Sequence, residues 1–275
     1  MTTLQTRTAS FTKAFADGAV VAKRNLIKIK RVPDLLVFST MSPIMFILLF
    51  AYIFGSAIQV GNGIGYREFL IPGIFVQTVI FGSTITGAGL AEDLQKGIID
   101  RFRSLPMSQS AVLVGRTTSD VLNNVLVLVI MSVTGLLVGW RIRSSVGEAI
   151  AGFFLLLAFA YAMSWLMALV GLIVPSPEVV NNAAFMVIFP LTFIANTFVP
   201  TQHFPAVLKA IANWNPVSSV TQAARQLFGN TGTAPLPKGP WSLHHPIIYT
   251  LIWIVIILAI FIPLSVRQYE RAATR

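Results

Sequence analysis

The longest polar stretch between the N-terminal arm and residue 200 lies at positions 91–116 and reads AEDLQKGIIDRFRSLPMSQSAVLVGR. Its charged residues are Glu92, Asp93, Lys96, Asp100, Arg101, Arg103 and Arg116. Before Pro106, its large apolar residues, mostly three or four positions apart, are Leu94, Ile98, Ile99, Phe102 and Leu105. This spacing predicts a helix over 91–105 with one apolar face, which Pro106 ends. Such a helix is suited to binding a partner at a membrane surface, but a simple connecting helix has the same pattern.

The side-chain sets that many enzymes and metal sites require are missing from the sequence. There are no cysteines, and the three histidines, His203, His244 and His245, lie in one late polar region. The sequence has no G-x-x-x-x-G-K-[ST], no H-E-x-x-H and no G-x-S-x-G motif. We therefore expect no catalytic residue, cofactor or metal ion on this chain, and no energy source of its own.

Asp120 is the ionisable residue placed deepest in the apolar segments. Proton- or ion-coupled carriers usually hold acids or bases near the middle of the membrane. Asp120 is interpreted either as a relay or, with better support, as a helix-end acid paired with Arg116 one turn earlier. The scarcity of such groups and the absence of an obvious internal repeat argue against a self-powered secondary transporter.

Uncharged polar side chains do enter the apolar segments, and two segments carry most of the candidates for a translocation path. These candidates are Gln77, Thr78 and Thr84 in the second segment and Asn181, Asn182, Thr192 and Asn196 in the fifth. Asn123 and Asn124 in the third segment have the same character. The competing interpretation is that these residues hold helices together by hydrogen bonds inside the membrane.

Composition predicts an all-α membrane protein. Of the 275 residues, 55% are hydrophobic and 11% are charged, and the mean hydropathy is +0.75. A soluble domain carries about 25% charged residues, whereas about 20 apolar residues suffice for one helical span. We expect six transmembrane helices, at about 35–58, 69–90, 112–138, 150–174, 179–199 and 246–266, together forming one domain over 33–275.

Residues 1–32 form a basic arm before the first span, with no apolar core typical of a cleavable signal peptide. At helical periodicity one narrow arc contains Phe11, Phe15, Gly18, Ala22, Leu26 and Ile29, and lysines and arginines occupy the remaining surface. The pattern favours an interfacial amphipathic helix on the anionic membrane surface over a disordered arm that only sets the topology.

The distribution of basic residues predicts the orientation. Fourteen of the 20 lysines and arginines lie in the arm, in the 2–3 loop and in the C-terminal tail, all on one side of a six-span chain. Basic residues concentrate on the cytoplasmic side, so we expect both termini and residues 91–116 in the cytoplasm and the chain in the plasma membrane. Arg141 and Arg143 run against this trend. The net charge of +10 is therefore no sign of nucleic-acid binding.

Residues 200–245 are too numerous for a simple connection between the last two spans. They are apolar enough for two short helices, broken at Asn215 and Pro216, and each is too short to cross a bilayer. Outer re-entrant or interfacial helices fit this pattern best, and a small soluble cap is the alternative.

Several of these features resemble ABC-2 type exporter permeases, in particular the daunorubicin/doxorubicin-resistance permease branch. The resemblance is carried by Glu92-Asp93, Gly97, the run RFRSLPMS at 101–108, and Gly115-Arg116. Phe204-Pro205, the NPVS run at 215–218 and Arg225 provide a second match. Gln109 departs from the pattern, because a basic residue is expected after this run in the family.

The resemblance implies a permease whose ATPase is a separate subunit, present in two copies, which binds the ATP and magnesium. Two permease subunits, a homodimer or a heterodimer, would surround a path lined by spans 2 and 5. Residues 91–103 would form the coupling helix, with contacts from Glu92, Asp93, Leu94, Gly97, Ile98, Arg101, Phe102 and Arg103. Asn215, Pro216 and Arg225 would belong to the outer re-entrant helices, and family substrates are hydrophobic molecules such as antibiotics and lipids.

Two alternatives remain open at this point. One is a permease of the same architecture that exports a polysaccharide or lipid-linked glycan, which the low polar content of the spans weighs against. The other is a membrane scaffold or sensor that transports nothing, which would have no ATPase gene beside its own. An intramembrane enzyme is disfavoured by the missing polar residues.

Overall fold

The computed structural model describes residues 33–55, 58, 60, 63–98, 109–201, 204–232 and 240–272. The predicted arm, residues 1–32, lies outside the described residues. The helices are α1 (Pro33–Leu49), α2 (Tyr66–Gly82), α3 (Thr84–Gln95), α4 (Gln109–Val138), α5 (Val146–Ile173), α6 (Pro177–Ile194), α7 (Ala206–Trp214), α8 (Pro216–Leu227), α9 (Trp241–His244) and α10 (Pro246–Ala272). No strand occurs in these ranges, which confirms the predicted all-α class.

Five helical segments of the described chain are long and apolar enough to cross a membrane, and they coincide with predicted spans 2 to 6. Their bounds are Tyr66–Gln95, Val112–Val138, Val146–Ile173, Pro177–Ile194 and Pro246–Arg271. The predicted first span at 35–58 corresponds to α1 and to the π-helix Phe50–Phe54 that continues it. Within this segment the apolar helix Thr40–Phe54 is shorter than a full span, so the count of six stays a prediction.

Helix α5 is the centre of the bundle. It packs against α2, α3, α4, α8 and α10, and it is apolar around its whole circumference, as expected of a helix enclosed by others or by lipid. A capping box fixes its beginning: the Ser145 hydroxyl accepts the Glu148 N–H at 3.3 Å, and the Glu148 carboxylate accepts the Ser145 N–H at 3.0 Å. Its start is therefore encoded locally in the sequence.

The second span consists of two helices that meet at Ser83. The Ser83 hydroxyl donates to the Ile80 carbonyl oxygen at 2.6 Å, and α3 then continues to Gln95. Residues 91–95, with which the predicted coupling helix over 91–105 begins, form the end of α3, and the coupling helix itself stays a prediction. Gly97, with φ of 62°, adopts the left-handed conformation that ends helices. Residues 99–108 lie outside the described part.

Contacts between loops show which loops share an end of the bundle. At one end the Gln95 side chain donates to the Pro175 carbonyl oxygen at 3.0 Å, joining the 2–3 and 4–5 connections. At the other end Arg143 binds Glu68 at 2.6 Å, joining the 3–4 loop to the start of α2. The connections therefore alternate between the two ends, as the sequence predicted.

The region 200–245 contains the two short helices that the sequence predicted, α7 and α8, with the break at Asn215 and Pro216. The four-residue helix α9 follows just before α10. Residues 202–203 and 233–239 lie outside the described part of this region. The choice between re-entrant helices and a soluble cap stays a prediction.

Candidate functional site

A cavity of about 370 Å³ lies between α1, α2, α4 and α6, beside the break between α2 and α3. Ligand-binding cavities usually measure about 300–1,000 Å³, so this one has room for a small molecule or for part of a larger one. Its uncharged polar lining residues are Ser42, Gln77, Thr78, Thr84, Asn123 and Asn124. The lining that the structure describes contains no ionisable side chain. The cavity therefore offers hydrogen bonds without a fixed charge.

Four phenylalanines form much of the remaining wall: Phe46, Phe81, Phe185 and Phe189. The rings of Phe185 and Phe189 stack with centroids 4.8 Å apart, and the ring of Phe81 lies 6.2 Å from that of Phe185. Ring faces and edges of this kind favour contact with another planar ring. The cavity thus combines aromatic surface with amide and hydroxyl groups, a chemistry that suits an amphiphilic aromatic ligand.

Helical periodicity explains why one face of the second span reaches the cavity. Ile74, Gln77, Thr78 and Phe81 recur at spacings of three and four on α2 and share one side of that helix. Thr84 and Ile85 continue the wall at the start of α3. The amide groups opposite them come from Asn123 and Asn124 on α4.

The seven residues predicted to line a path are not brought together. Gln77, Thr78 and Thr84 line the cavity. Asn181 and Asn182 are exposed on the first turns of α6, while Thr192 is fully buried and donates to the Phe189 carbonyl oxygen at 2.9 Å. Asn196 belongs to the opposite end of α6, in the contact described next.

Helix α8 closes the C-terminal end of α6 through its polar side chains. Asn215 donates to the Leu191 carbonyl oxygen at 2.7 Å and accepts the Val217 N–H at 2.9 Å, so that one side chain caps two helices. The Ser218 hydroxyl accepts the Asn196 N–H at 3.1 Å. Arg225 donates to the Asn196 and Phe69 carbonyl oxygens, both at 2.7 Å. The residues of the predicted outer motif, with Pro216 at the first position of α8, therefore hold the end of α6 against the start of α2.

The opposite end of the bundle carries the described part of the predicted coupling segment. Arg116 on α4 donates to Asp93 on α3 at 3.1 Å, and both side chains are largely buried. Lys96 pairs with Glu92 on the exposed side, and this hydrogen bond raises the pKa of Lys96. Leu94, Gly97 and Ile98 complete the described part, whereas Arg101, Phe102 and Arg103 lie outside it.

The expected pairing of Asp120 with Arg116 is wrong. Arg116 binds Asp93 instead, and the Asp120 carboxylate is buried with one oxygen that has no hydrogen-bond partner. Gly89 explains the difference, because an added Cβ there would lie 1.2 Å from the Arg116 guanidinium. The absence of a side chain at position 89 lets Arg116 extend along α3 towards Asp93. This contact between two helices cannot be predicted from the spacing of residues along α4 alone.

Comparison with known families decides the class of the protein. Residues 18–228 match the profile of the ABC-2 type transporter family, which covers most of the chain. The chain belongs to the ABC-2 type transporter family. The ABC-2 permeases are transport subunits and have no enzymatic activity themselves, so the predictions of a permease and of a non-enzyme are confirmed.

Two relatives of this ABC-2 permease place it in the drug-resistance branch. A daunorubicin resistance ABC transporter permease of Streptomyces coeruleorubidus is 32% identical over 247 residues, covering 90% of this chain and 83% of the relative. A doxorubicin resistance ABC transporter permease of Mycobacterium tuberculosis is 25% identical over 209 residues, covering 76% of this chain and 71% of the relative. The permease is thus a multi-pass membrane protein of the drug-resistance exporter type.

Proposed function

We propose that this permease exports a hydrophobic or amphiphilic molecule with aromatic character across the plasma membrane, driven by a separate ATPase subunit. The observation that carries the proposal is the cavity of about 370 Å³, walled by phenylalanines and by uncharged amide and hydroxyl groups. The relatives' resistance to daunorubicin and doxorubicin supports an aromatic antibiotic as the substrate class. Binding there would combine ring contacts with a few orienting hydrogen bonds.

The energy for export is proposed to come from ATP and magnesium bound by two copies of the ATPase partner. The partner would contact residues 91–103 at the cytoplasmic surface. Two described contacts support this entry point: the Asp93–Arg116 bridge links the end of α3 to α4, and Gln95 links α3 to the 4–5 turn. A displacement of the 91–103 segment would therefore act on α3, on α4 and on the turn between α5 and α6.

A second permease subunit, most simply another copy of this chain, is proposed to complete the cavity. Ser42 and Pro43 of α1 and Phe185 and Phe189 of α6 line the cavity. Neighbouring side chains on these helices are exposed, including Met41, Met45, Met186 and Val187. Both termini and the 91–103 segment would face the cytoplasm in this assembly.

Export into inside-out membrane vesicles tests the proposal. The chain is co-expressed with its proposed ATPase partner, and ATP-dependent uptake of doxorubicin is measured for the wild type, for Gln77→Leu and for Asn123→Leu. Each substitution removes a hydrogen-bonding group from the cavity at similar volume, so we expect KM to rise about tenfold, equivalent to about 1.4 kcal/mol. Val255→Leu, on the exposed side of α10, is the matched control and leaves KM unchanged.

Two results would contradict the proposal. If KM is the same for both cavity variants and the control, the cavity does not bind the substrate. If a lipid-linked glycan stimulates the ATPase and doxorubicin and other amphiphilic drugs do not, the permease exports glycans. Failure of the permease to associate with any ATPase would instead favour a scaffold or sensor.

A further inference from the structure

A second hollow in the bundle is an apolar groove of about 290 Å³ between α4 and α5. Val125, Val129, Val133 and Leu136 follow one another along α4 on one wall, and Phe153 and Leu157 of α5 form the other. Ser132 also lines the groove, but its hydroxyl donates to the Leu128 carbonyl oxygen at 2.7 Å and is satisfied within α4. The groove therefore offers an almost purely apolar surface.

The groove has the length of one membrane leaflet. From Val125 to Leu136 the helix rises 1.5 Å per residue, which gives about 16 Å, and half of a bilayer's hydrocarbon core measures about 15 Å. The groove occupies the half of the span Val112–Val138 that leads to the 3–4 loop. Val129 and Val133 are 57% and 52% exposed, so the groove is open along its side.

Arg141 sits at the loop end of this groove. Its Nη1 donates to the carbonyl oxygen of Leu136, the last groove residue, at 2.6 Å and to that of Trp140 at 2.7 Å. Its Nε and Nη2 have no hydrogen-bond partner within the described ranges, and the residue is exposed. One end of the guanidinium is thus fixed at the C-terminal end of α4, at the carbonyl of the last groove residue, while further donors remain available.

The charge of Arg141 has no counterpart in the described part of the protein. Arg143, the other basic residue of the 3–4 loop, is paired with Glu68 at 2.6 Å, whereas Arg141 makes no ion pair with a described residue. Both residues lie on the side where basic residues are otherwise scarce. The ion pair accounts for Arg143 but leaves Arg141 unexplained.

We propose that the groove between α4 and α5 binds one acyl chain of an anionic phospholipid whose phosphate is bound by Arg141. An acyl chain matches the apolar walls and the leaflet-deep length, and a guanidinium donates paired hydrogen bonds to phosphate oxygens. In the orientation proposed above the lipid belongs to the outer leaflet. Occupancy of the groove does not depend on that orientation, so an inverted topology would change only the leaflet.

Native mass spectrometry of the full chain, stripped of lipid in detergent, tests this site. Dioleoyl phosphatidylglycerol and dioleoyl phosphatidylcholine are titrated separately, and adducts are counted. One arginine near a lipid surface contributes about 1 kcal/mol to binding an anionic lipid, so the wild type should bind phosphatidylglycerol about fivefold more tightly. Arg141→Gln should remove this preference, whereas Lys209→Gln, which removes another exposed cation, should retain it.

A substitution that fills the groove tests the acyl-chain contact independently of the headgroup. Ser132→Phe should weaken binding of both lipids at least fivefold, and Val255→Phe on α10 should not. If the Ser132→Phe protein is not monodisperse, Val133→Phe is used in its place, because it fills the same groove from the open side. Equal affinity of the wild type for both lipids would overturn the proposal, and so would unchanged lipid binding by the variant with the filled groove. A change of oligomeric mass on filling the groove would also overturn it, because a second copy of the chain would then occupy the groove.

Discussion

Arg225 is 1% exposed, and its guanidinium binds carbonyl oxygens and an aromatic ring. It donates to Phe69, Asn196 and Thr197 at 2.7 to 3.1 Å, and it lies 3.5 Å from the centre of the Phe69 ring. Two of these carbonyls follow the C-terminus of α6, where the helix dipole favours a positive charge. The positive charge of Arg225 is therefore stabilised by the partial negative charges of a helix end and of a ring face instead of by an acidic side chain.

Replacing Arg225 should destabilise the protein more than replacing an exposed arginine or lysine. Arg225→Met keeps an apolar stem at this position but removes the donor that three carbonyl oxygens share, at a cost of about 3 kcal/mol or more. The thermal midpoint in detergent, followed by size-exclusion chromatography, measures the effect, and Lys209→Met is the exposed control. A midpoint equal to that of the control would mean that water or another group replaces the guanidinium.

The contact between α3 and α4 depends on the missing side chain at Gly89. The Arg116 guanidinium lies so close to Gly89 that an alanine there would displace it from Asp93. Gly89→Ala should therefore act through the same ion pair as Asp93→Asn, and each should cost about 2 kcal/mol of stability. We expect the double variant to lose less than the sum of the two single losses.

Export per ATP hydrolysed shows whether this contact also transmits the motion of the coupling segment. If it does, both variants should hydrolyse ATP with the partner while exporting less substrate for each ATP consumed. Gly147→Ala, placed in open space at the start of α5, is the matched glycine control. Additive stability losses would show that Gly89 and Asp93 act independently, and an unchanged ratio of export to hydrolysis would limit the bridge to a structural role.

Hydropathy was sufficient to locate the five apolar helices at predicted spans 2 to 6, and local caps mark some of the helix ends. Ser145 and Glu148 mark the start of α5, and Asn215 and Pro216 mark the break between α7 and α8. The end of α3 was not predictable from amphipathic spacing, since Leu94 and Ile98 keep the helical period across the left-handed Gly97. A glycine inside an apparently helical stretch was the available signal, but it does not by itself distinguish a helix end from a tolerated glycine.

Only some of the residues that line the cavity were predictable from the sequence, because local patterns do not specify how helices pack against each other. Gln77 and Thr78 were predicted because polar residues in an apolar span are conspicuous. Asn123 and Asn124 share that property, but their place in the wall depends on how α4 is rotated against α2, which no local pattern specifies. Asn181 and Thr192 were assigned to the path on the same polar signal, although one is exposed and the other fully buried.

At the scale of the whole molecule, we propose that a second copy of the chain covers the cavity from the side of α1 and α6. Helix α6 presents Phe185, Met186 and Val187, which are 56%, 76% and 66% exposed, next to the phenylalanines of the wall. Exposed apolar side chains also occur on α10, where Val255 is 64% exposed. Exposure alone therefore does not distinguish a lipid-facing surface from a subunit interface. Because α1 and α6 line the cavity and α10 does not, the proposed second copy is expected against α1 and α6.

Cysteine cross-linking can decide between these surfaces, and the absence of cysteine from the natural sequence removes any background. In a dimer with two-fold symmetry, equivalent residues near the axis face each other. Met186→Cys should therefore give a covalent dimer with a short bis-maleimide in native membranes, while Val255→Cys, also at an exposed apolar position, should not. The dimer fraction is read by gel electrophoresis. If Val255→Cys cross-links and Met186→Cys does not, the subunit interface lies on α10 and the cavity is open to lipid. The proposed path between two copies would then be wrong.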